Sequence, residues 1–451
     1  MSAEPKKDDA VVAAAALASD GDDSEAQAIP APGADDEDDD DDDGLPMDRG
    51  VGPWLQVLGC WILFANTWGL PNSFGVFQAY YTATLLAGAG PSAVAWIGSV
   101  QVFLMMAVGA AAGRLLDAGR LRLVLGGGAA LAALGLFLLG ACTRYWHVLL
   151  AQAVCVGAGT GLLGLTSVAI IPLYFRRRRM VAVGVAATGS SLAGIVYPIM
   201  HRRLIARLGF PWAVRVFAFV VTASLLVAMA ILRLRPNMKP RGARFSTAHF
   251  RDKPYVVFCI AFTLIMAAAY VPYFFVDAYA ARLGVGPGTS FYVLSAMNGG
   301  SLAGRVVPNW LADRYGGLNV MVPCGVGAAL AMFFFRFARD LPGLLAAAAA
   351  YGFLSGGTVA LPVVTIANFT PAPADYATRM GIGYSVAALG ALVGNPLGGA
   401  AQRPQLEDTV EAAQREFQGT WIFGGGVMLA AVLTLLLAKY LKFGSILKGK
   451  C

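Results

Sequence analysis

Asn298-Gly299-Gly300-Ser301-Leu302-Ala303-Gly304-Arg305-Val306-Val307-Pro308-Asn309-Trp310-Leu311-Ala312-Asp313-Arg314-Tyr315-Gly316 decides how the chain is read. The stretch is mostly apolar and belongs to a segment that begins near Ser290. About 20 such residues suffice for a helix to cross a bilayer. Yet Arg305 lies inside it, two helical turns ahead of the charged end at Asp313-Arg314. A guanidinium near a bilayer centre costs about 2.5–3.5 kcal/mol on insertion scales, a cost accepted where the charge faces a bundle interior or a watery cavity. The alternative is a lipid-facing arginine that snorkels to the headgroups. Because Asp313 and Arg314 already mark the interface, the expectation is that Arg305 faces an anionic or polar solute.

Composition sets this segment in a polytopic membrane protein. The 451 residues are 57% hydrophobic and 14% charged, and mean hydropathy is +0.62. Soluble domains hold about 45–50% apolar and about 25% charged residues. The net charge of +7 hides a strongly acidic first fifty residues, so the remainder is more basic than the total suggests. That excess falls in short loops, where it reports topology rather than nucleic-acid binding. The six cysteines, Cys60, Cys142, Cys155, Cys259, Cys324 and Cys451, show no CxxC or metal-type spacing. They read as small packing residues, and Cys451, as the last residue, is not a prenylation box. No Walker-type loop, Ser/His/Asp set or metal cluster appears, so neither an enzyme nor a cofactor is implied.

Residues 1–48 are rich in Ala, Asp, Glu, Ser and Pro and end in the acidic run from Asp35 to Asp43. Charge of one sign repels itself and builds no core, so a disordered tail is expected there, with no apolar region of a cleavable signal. Beyond it, apolar segments recur at 53–81, 92–113, 121–142, 146–172, 180–201, 211–233, 254–280, 289–312, 318–338, 341–369, 379–400 and 418–441. Twelve crossings follow, in an all-α membrane fold. Two segments are long enough to tilt or break, the first at Gly69-Leu70-Pro71 and the tenth at Gly356-Gly357 with Pro362. Broken helices are tolerated at membrane depth where they line a cavity.

Loop charges orient the chain. One side carries Arg114, Arg120 and Arg122, the run Arg176 to Arg179, the basic stretch 234–253, Arg314, Arg379 and the lysines from Lys439 to Lys450. The positive-inside bias therefore puts both termini and the linker in the cytoplasm. Arg202-Arg203 on the other side is an exception, and Asp277 is the only acidic side chain well inside these spans.

The linker 234–253 divides the chain into a first bundle, 49–233, and a second, 254–441, with a short tail at 442–451. The halves resemble each other. Trp96-Ile97-Gly98-Ser99 reaches Asp117 as Tyr292-Val293-Leu294-Ser295 reaches Asp313, and Arg179-Met180, Ala187 and Gly194 recur as Arg379-Met380, Ala387 and Gly394. Duplicated halves of this kind mark alternating-access transporters, with the site between them near the midplane.

Two stretches carry more specific signals. Gly113-Arg114-Leu115-Leu116-Asp117-Ala118-Gly119-Arg120 fills the short loop after the second segment and resembles the signature of the major facilitator superfamily. Its glycines suit a tight turn, and Asp117 can pair with an arginine or sit at a helix N-terminus. Arg114, Asp117 and Arg120, echoed by Asp313 and Arg314, are the gating residues expected to latch one face. The second stretch, Tyr174 to Gly194, follows four arginines with a small-residue face for close helix contact. It is similar to the fifth-helix motif of the monocarboxylate porter family. Asp48-Arg49-Gly50 with Trp54, Phe74-Gly75-Val76-Phe77-Gln78 and the stretch around Arg305 resemble fungal members of that family, so the resemblance spans both halves.

It implies two pseudo-symmetric six-helix bundles and a secondary transporter in the plasma membrane, with partners limited to a small organic solute, the lipid bilayer and an optional coupling proton, and no nucleic acid. Lactate carriers of the family have a lysine where Asn72 follows Pro71 and an aspartate where Ser301 precedes Arg305; only the arginine carries over. The expected substrate-binding set is Arg305, Asn298, Asn72, Tyr270, Tyr273, Asn368 and Tyr384. The missing lysine and aspartate favour export of a carboxylate-bearing secondary metabolite over uptake of a monocarboxylate or vitamin-like anion. A transporter-like receptor using the acidic tail is the alternative of another class, and intact loop motifs in both halves speak against it.

Overall fold

The computed structural model describes residues 50–175, 179–234, 251–286, 289–362, 365–366, 369–370, 376–407 and 409–445. The acidic tail 1–48, most of the linker, Arg176 to Arg178, Asn368, Lys448, Lys450 and Cys451 lie outside the described residues, as do the side chains of Arg114, Asp117, Arg179 and Asp313.

Nine helices among the described residues are long and apolar enough to cross a membrane. One of them, Val181–Ile231, is two crossings joined at Gly209, whose φ of 73° and ψ of 166° break the helix. A positive φ of this size favours glycine, and Pro211 restarts the helix where its missing N–H costs nothing. The two halves of that element are α5 (179–208) and α6 (210–231). Two further crossings fall short of the apolar criterion: α1 (51–85) because it is broken, and α8 (Phe291–Tyr315) because Asn298, Ser301, Arg305 and Asn309 dilute it. The others are α2 (Pro91–Asp117), α3 (Leu121–Leu139), α4 (Tyr145–Ala169), α7 (Lys253–Arg282), α9 (Gly317–Phe335), α10 (Leu341–Ala360), α11 (Tyr376–Ala400) and α12 (Val410–Phe443). The chain thus makes twelve crossings in two bundles, and Gly50 and Gly444 share one end. The opposite end is called distal below.

One boundary differs from expectation. α12 starts at Val410 rather than 418, because the Thr409 hydroxyl accepts from Ala412 N at 3.1 Å and caps a polar first turn that hydropathy alone leaves out. The expected break in the tenth segment falls after Ala360, just ahead of Pro362, and helix recurs at Thr365 and Ile366, with Thr365 N donating to Leu361 O at 3.0 Å.

The first helix of each bundle breaks at a proline. In α1, Pro71 offers no N–H and crowds the preceding turn. The Ser73 hydroxyl joins its own backbone N–H in donating to the carbonyls of Gly69 and Leu70, at 3.1 and 2.9 Å. In α7, Pro272 follows a break at Tyr270, and the Tyr351 hydroxyl donates to Ala269 O at 2.8 Å. The tyrosine bond gives the Ala269 carbonyl a partner where lipid offers none.

The distal pieces of α1 and α7 pack on each other, with the Phe74 and Phe274 ring centroids 4.5 Å apart and Gly75 against the Tyr273 carbonyl. A second apolar cluster, around Leu63, Leu125, Phe175 and Phe217, belongs to the first bundle alone. The larger one runs through the second bundle and into the distal part of the first, through Phe77, Tyr81, Ile97, Val148 and Val214. The two cores are therefore continuous at the distal end. Leu134, Phe219, Leu226, Phe334 and Leu433 stay exposed on the outside, as a lipid-facing perimeter requires.

Candidate functional site

Between the bundles, α2 lies along α11 and α5 along α8. Ser92 Oγ donates to Pro396 O at 2.9 Å, and Asn395 Nδ2 donates to Ser99 Oγ at 3.2 Å. Among the described residues, the hydrogen bonds that cross between bundles run from mid-membrane to the distal end.

Arg305 sits at the inner limit of this zone. It is 7% exposed, which rules out the snorkelling alternative. Its Nη1 donates to Ser190 Oγ at 2.6 Å and Ala187 O at 3.4 Å, both on α5 of the other bundle, and its Nε donates to Ser301 Oγ at 3.4 Å. Among the described residues no carboxylate pairs with it. A guanidinium has five N–H donors, and these bonds engage only two of its three nitrogens. A cation so buried and so incompletely paired is suited to an acidic ligand.

The hollow beside it is small, about 10 Å³, room for about one water. It is lined by Asn72 of α1, Tyr270 and Tyr273 of α7, Ser301 and Arg305 of α8, and Ser355 of α10, among others. Four of the expected substrate residues, Arg305, Asn72, Tyr270 and Tyr273, are brought together. Tyr384 is not in the lining but lies within electrostatic reach of Arg305, its half-buried ring packed 5.2 Å from that of Phe262. Asn368 lies outside the described residues.

Asn298 does something else. Its Nδ2 donates to Asn72 O at 3.3 Å and Gly194 O at 3.1 Å in the first bundle, and to Leu294 O at 3.0 Å in its own helix. It is a clasp between bundles, about two turns distal of Arg305. Hydrogen bonds between membrane helices are worth about 0.6–2 kcal/mol. Asn298→Ala is accordingly expected to lower the thermal midpoint of the detergent-solubilised protein by a few degrees. An unmoved midpoint would show that this amide does not hold the bundles together.

Sequence reading missed Ser190 and Ser355. Serines are common in membrane helices, and only the small-residue run Gly189-Ser190-Ser191 hinted at the first. Of the gating set, Arg120 is exposed just before α3, and the Arg314 guanidinium stacks 4.3 Å above the Trp310 ring.

Residues 57–335 match the family model described as Major Facilitator Superfamily. The chain belongs to the major facilitator superfamily. The transporter is 35% identical over 392 residues to the MFS-type transporter dbaD of Emericella nidulans, covering 87% of each chain. It is 30% identical over 355 residues to the aspyridones efflux protein apdF of the same organism, covering 78% of this chain and 72% of that one. The agnestins efflux protein AgnL12 of Paecilomyces divaricatus is 31% identical, with 88% and 89% covered. Among solved structures, the nucleoside transporter NupG superposes with a TM-score of 0.65 at 14% identity, covering 86% of this chain and 98% of that one. A bacterial homologue of the lysosomal transporter Spinster, in an inward-facing conformation, gives 0.60 at 12% identity, covering 88% and 99%. These likenesses at low identity show the shared fold.

Proposed function

We propose that this transporter exports a small acidic organic product, of the secondary-metabolite class, by alternating access across the plasma membrane. The observation that carries the reading is Arg305: a buried cation beside a hollow between the bundles, held by hydroxyls and carbonyls and by no described acid. An arriving carboxylate or acidic enol replaces the weaker neutral partners with a charge-assisted fork, which is roughly twice as strong. Ser190 is then released, so loading the site loosens a bond between the bundles. Export is supported by the two relatives named as efflux proteins. Asn72 and Ser301, at the positions where lactate carriers hold their lysine and aspartate, separate the solute from lactate within a monocarboxylate-porter-like framework.

The hollow is too small for such a solute, so loading requires the proximal halves of the bundles to part. Loop charges place that proximal end, and both termini, in the cytoplasm. Asp117 and Asp313, with Arg114, Arg120 and Arg314, form the latch of the cytoplasmic face in the alternate state.

Cells lacking the gene should retain an acidic product that unmodified cells release into the medium. An untargeted comparison of cell and medium extracts checks this. Identical extracts under conditions where the gene is expressed would overturn the export reading.

A further inference from the structure

Among the described residues, one ion pair crosses the distal seam. Near the end of α5, Arg202 places Nη2 2.5 Å from Asp277 Oδ2 on α7. The Asp277 side chain is wholly buried, whereas that of Arg202 keeps 24% of its surface exposed. Among the described residues Asp277 is the only buried carboxylate. Its other oxygen, Oδ1, faces the Ser290 hydroxyl at the start of α8, and neither makes a hydrogen bond of normal geometry.

The surroundings leave Arg202 as the one charge that bears on this carboxylate among the described residues. His201 precedes it on α5 but turns its ring to Phe77 and Phe217, at 4.5 and 4.4 Å. Arg282, on the next turns of α7, is engaged by Glu416 of α12 at 2.8 Å.

A carboxylate in this position has two stable conditions. While the bundles meet, Arg202 balances its charge. When they part, a lone carboxylate remains among apolar side chains, at a desolvation cost that a bound proton removes. The half-exposed arginine needs no such help, because its head can return to water.

We propose that Asp277 is a proton-binding site and that its protonation unlatches the distal face. A proton from water settles on Oδ1, which then donates to Ser290 Oγ, and Arg202 is released to solvent. Opening binds one proton and closing returns it, so acid favours the open distal face. The assignment explains why Arg202 stands on the side where loop charge is otherwise sparse. Its use in driving transport rests on the alternating-access reading above; the proton site itself does not.

The test uses the full-length protein in lipid nanodiscs and needs no solute. On acidification, infrared difference spectra should gain the carbonyl band of a protonated carboxylic acid, and Asp277→Asn should remove that band. Amide hydrogen exchange in 203–208 and 289–295, corrected for the intrinsic effect of pH, should rise about tenfold over the same range. In Asp277→Asn it should be fast at every pH. Arg202→Asp combined with Asp277→Arg should restore slow exchange near neutral pH. A band that persists in Asp277→Asn, distal exchange indifferent to pH, or fast exchange at every pH in the charge-swapped pair would each overturn the proposal. Retained proton binding with no export would leave the site standing and fault the transport reading instead.

Discussion

Arg305→Ala is expected to abolish export, by about 100-fold or more, while the protein still reaches the membrane in normal amount. The side chain is the one buried cation bordering the hollow, and a hydrogen bond to a charged group contributes about 1.5–3 kcal/mol, or about 10- to 150-fold in binding. The same group links the bundles through Ser190, so binding and reorientation are lost together. Stability should not fall with activity, because deleting an incompletely paired buried charge removes a desolvation cost. Arg305→Lys should recover only part of the activity, since an ammonium cannot present the planar fork. The measurements are release of the retained product by complemented cells, the amount of protein in the membrane and the thermal midpoint. Wild-type release from Arg305→Ala would remove the site assignment; a collapsed midpoint would show that the arginine is structural.

The second large effect separates two neighbouring glycines of α8. Gly300 and Gly304 lie against the backbone carbonyls of Ala349 and Phe353 on α10, and a Cβ at either would overlap the carbonyl oxygen. Main chain cannot give way as a flexible side chain does, so Gly300→Ala should cost about 3 kcal/mol, the upper part of the range for overpacking. Gly299 has nothing within 4 Å of where a Cβ would stand. Gly299→Ala should therefore be neutral or stabilise by up to about 1 kcal/mol through helix propensity. Thermal midpoints of the two variants check the contrast. Equal midpoints would mean that α8 and α10 do not approach through these glycines.

Much of this architecture is visible in the residues alone. Hydropathy delimits the crossings, and the repeated Asp117 and Asp313 stretches disclose the duplication. Burial of Arg305 follows from an energetic argument, since a lipid-facing arginine so far from the headgroups is costly. Other features depend on partners that no local pattern names. The amide of Asn298 reads as a ligand contact, yet its donors are consumed by Asn72 O and Gly194 O, carbonyls that any residue could supply. Arg202 and Asp277 look like separate oddities until the fold brings them together. Pro272 carries the same breaking chemistry as Pro71, but it sits in a segment of ordinary length and so gave no signal. Hydropathy also could not fix the start of α12, where a capped polar turn extends the helix.

The seam between the bundles follows one more rule. α2 and α8 are counterparts in the two halves, as are α5 and α11, so the α2–α11 contact is the same contact as α8–α5 seen from the other half. Phe74 meets Phe274, the residue two hundred places on. This is the pattern of an isologous dimer, in which one patch faces its own copy across a two-fold axis. Here both subunits are fused into one chain, and the aromatic pair marks the axis. Either half by itself would display a face shaped for its twin, so the covalent link between them serves also to keep that face from finding a partner in another molecule.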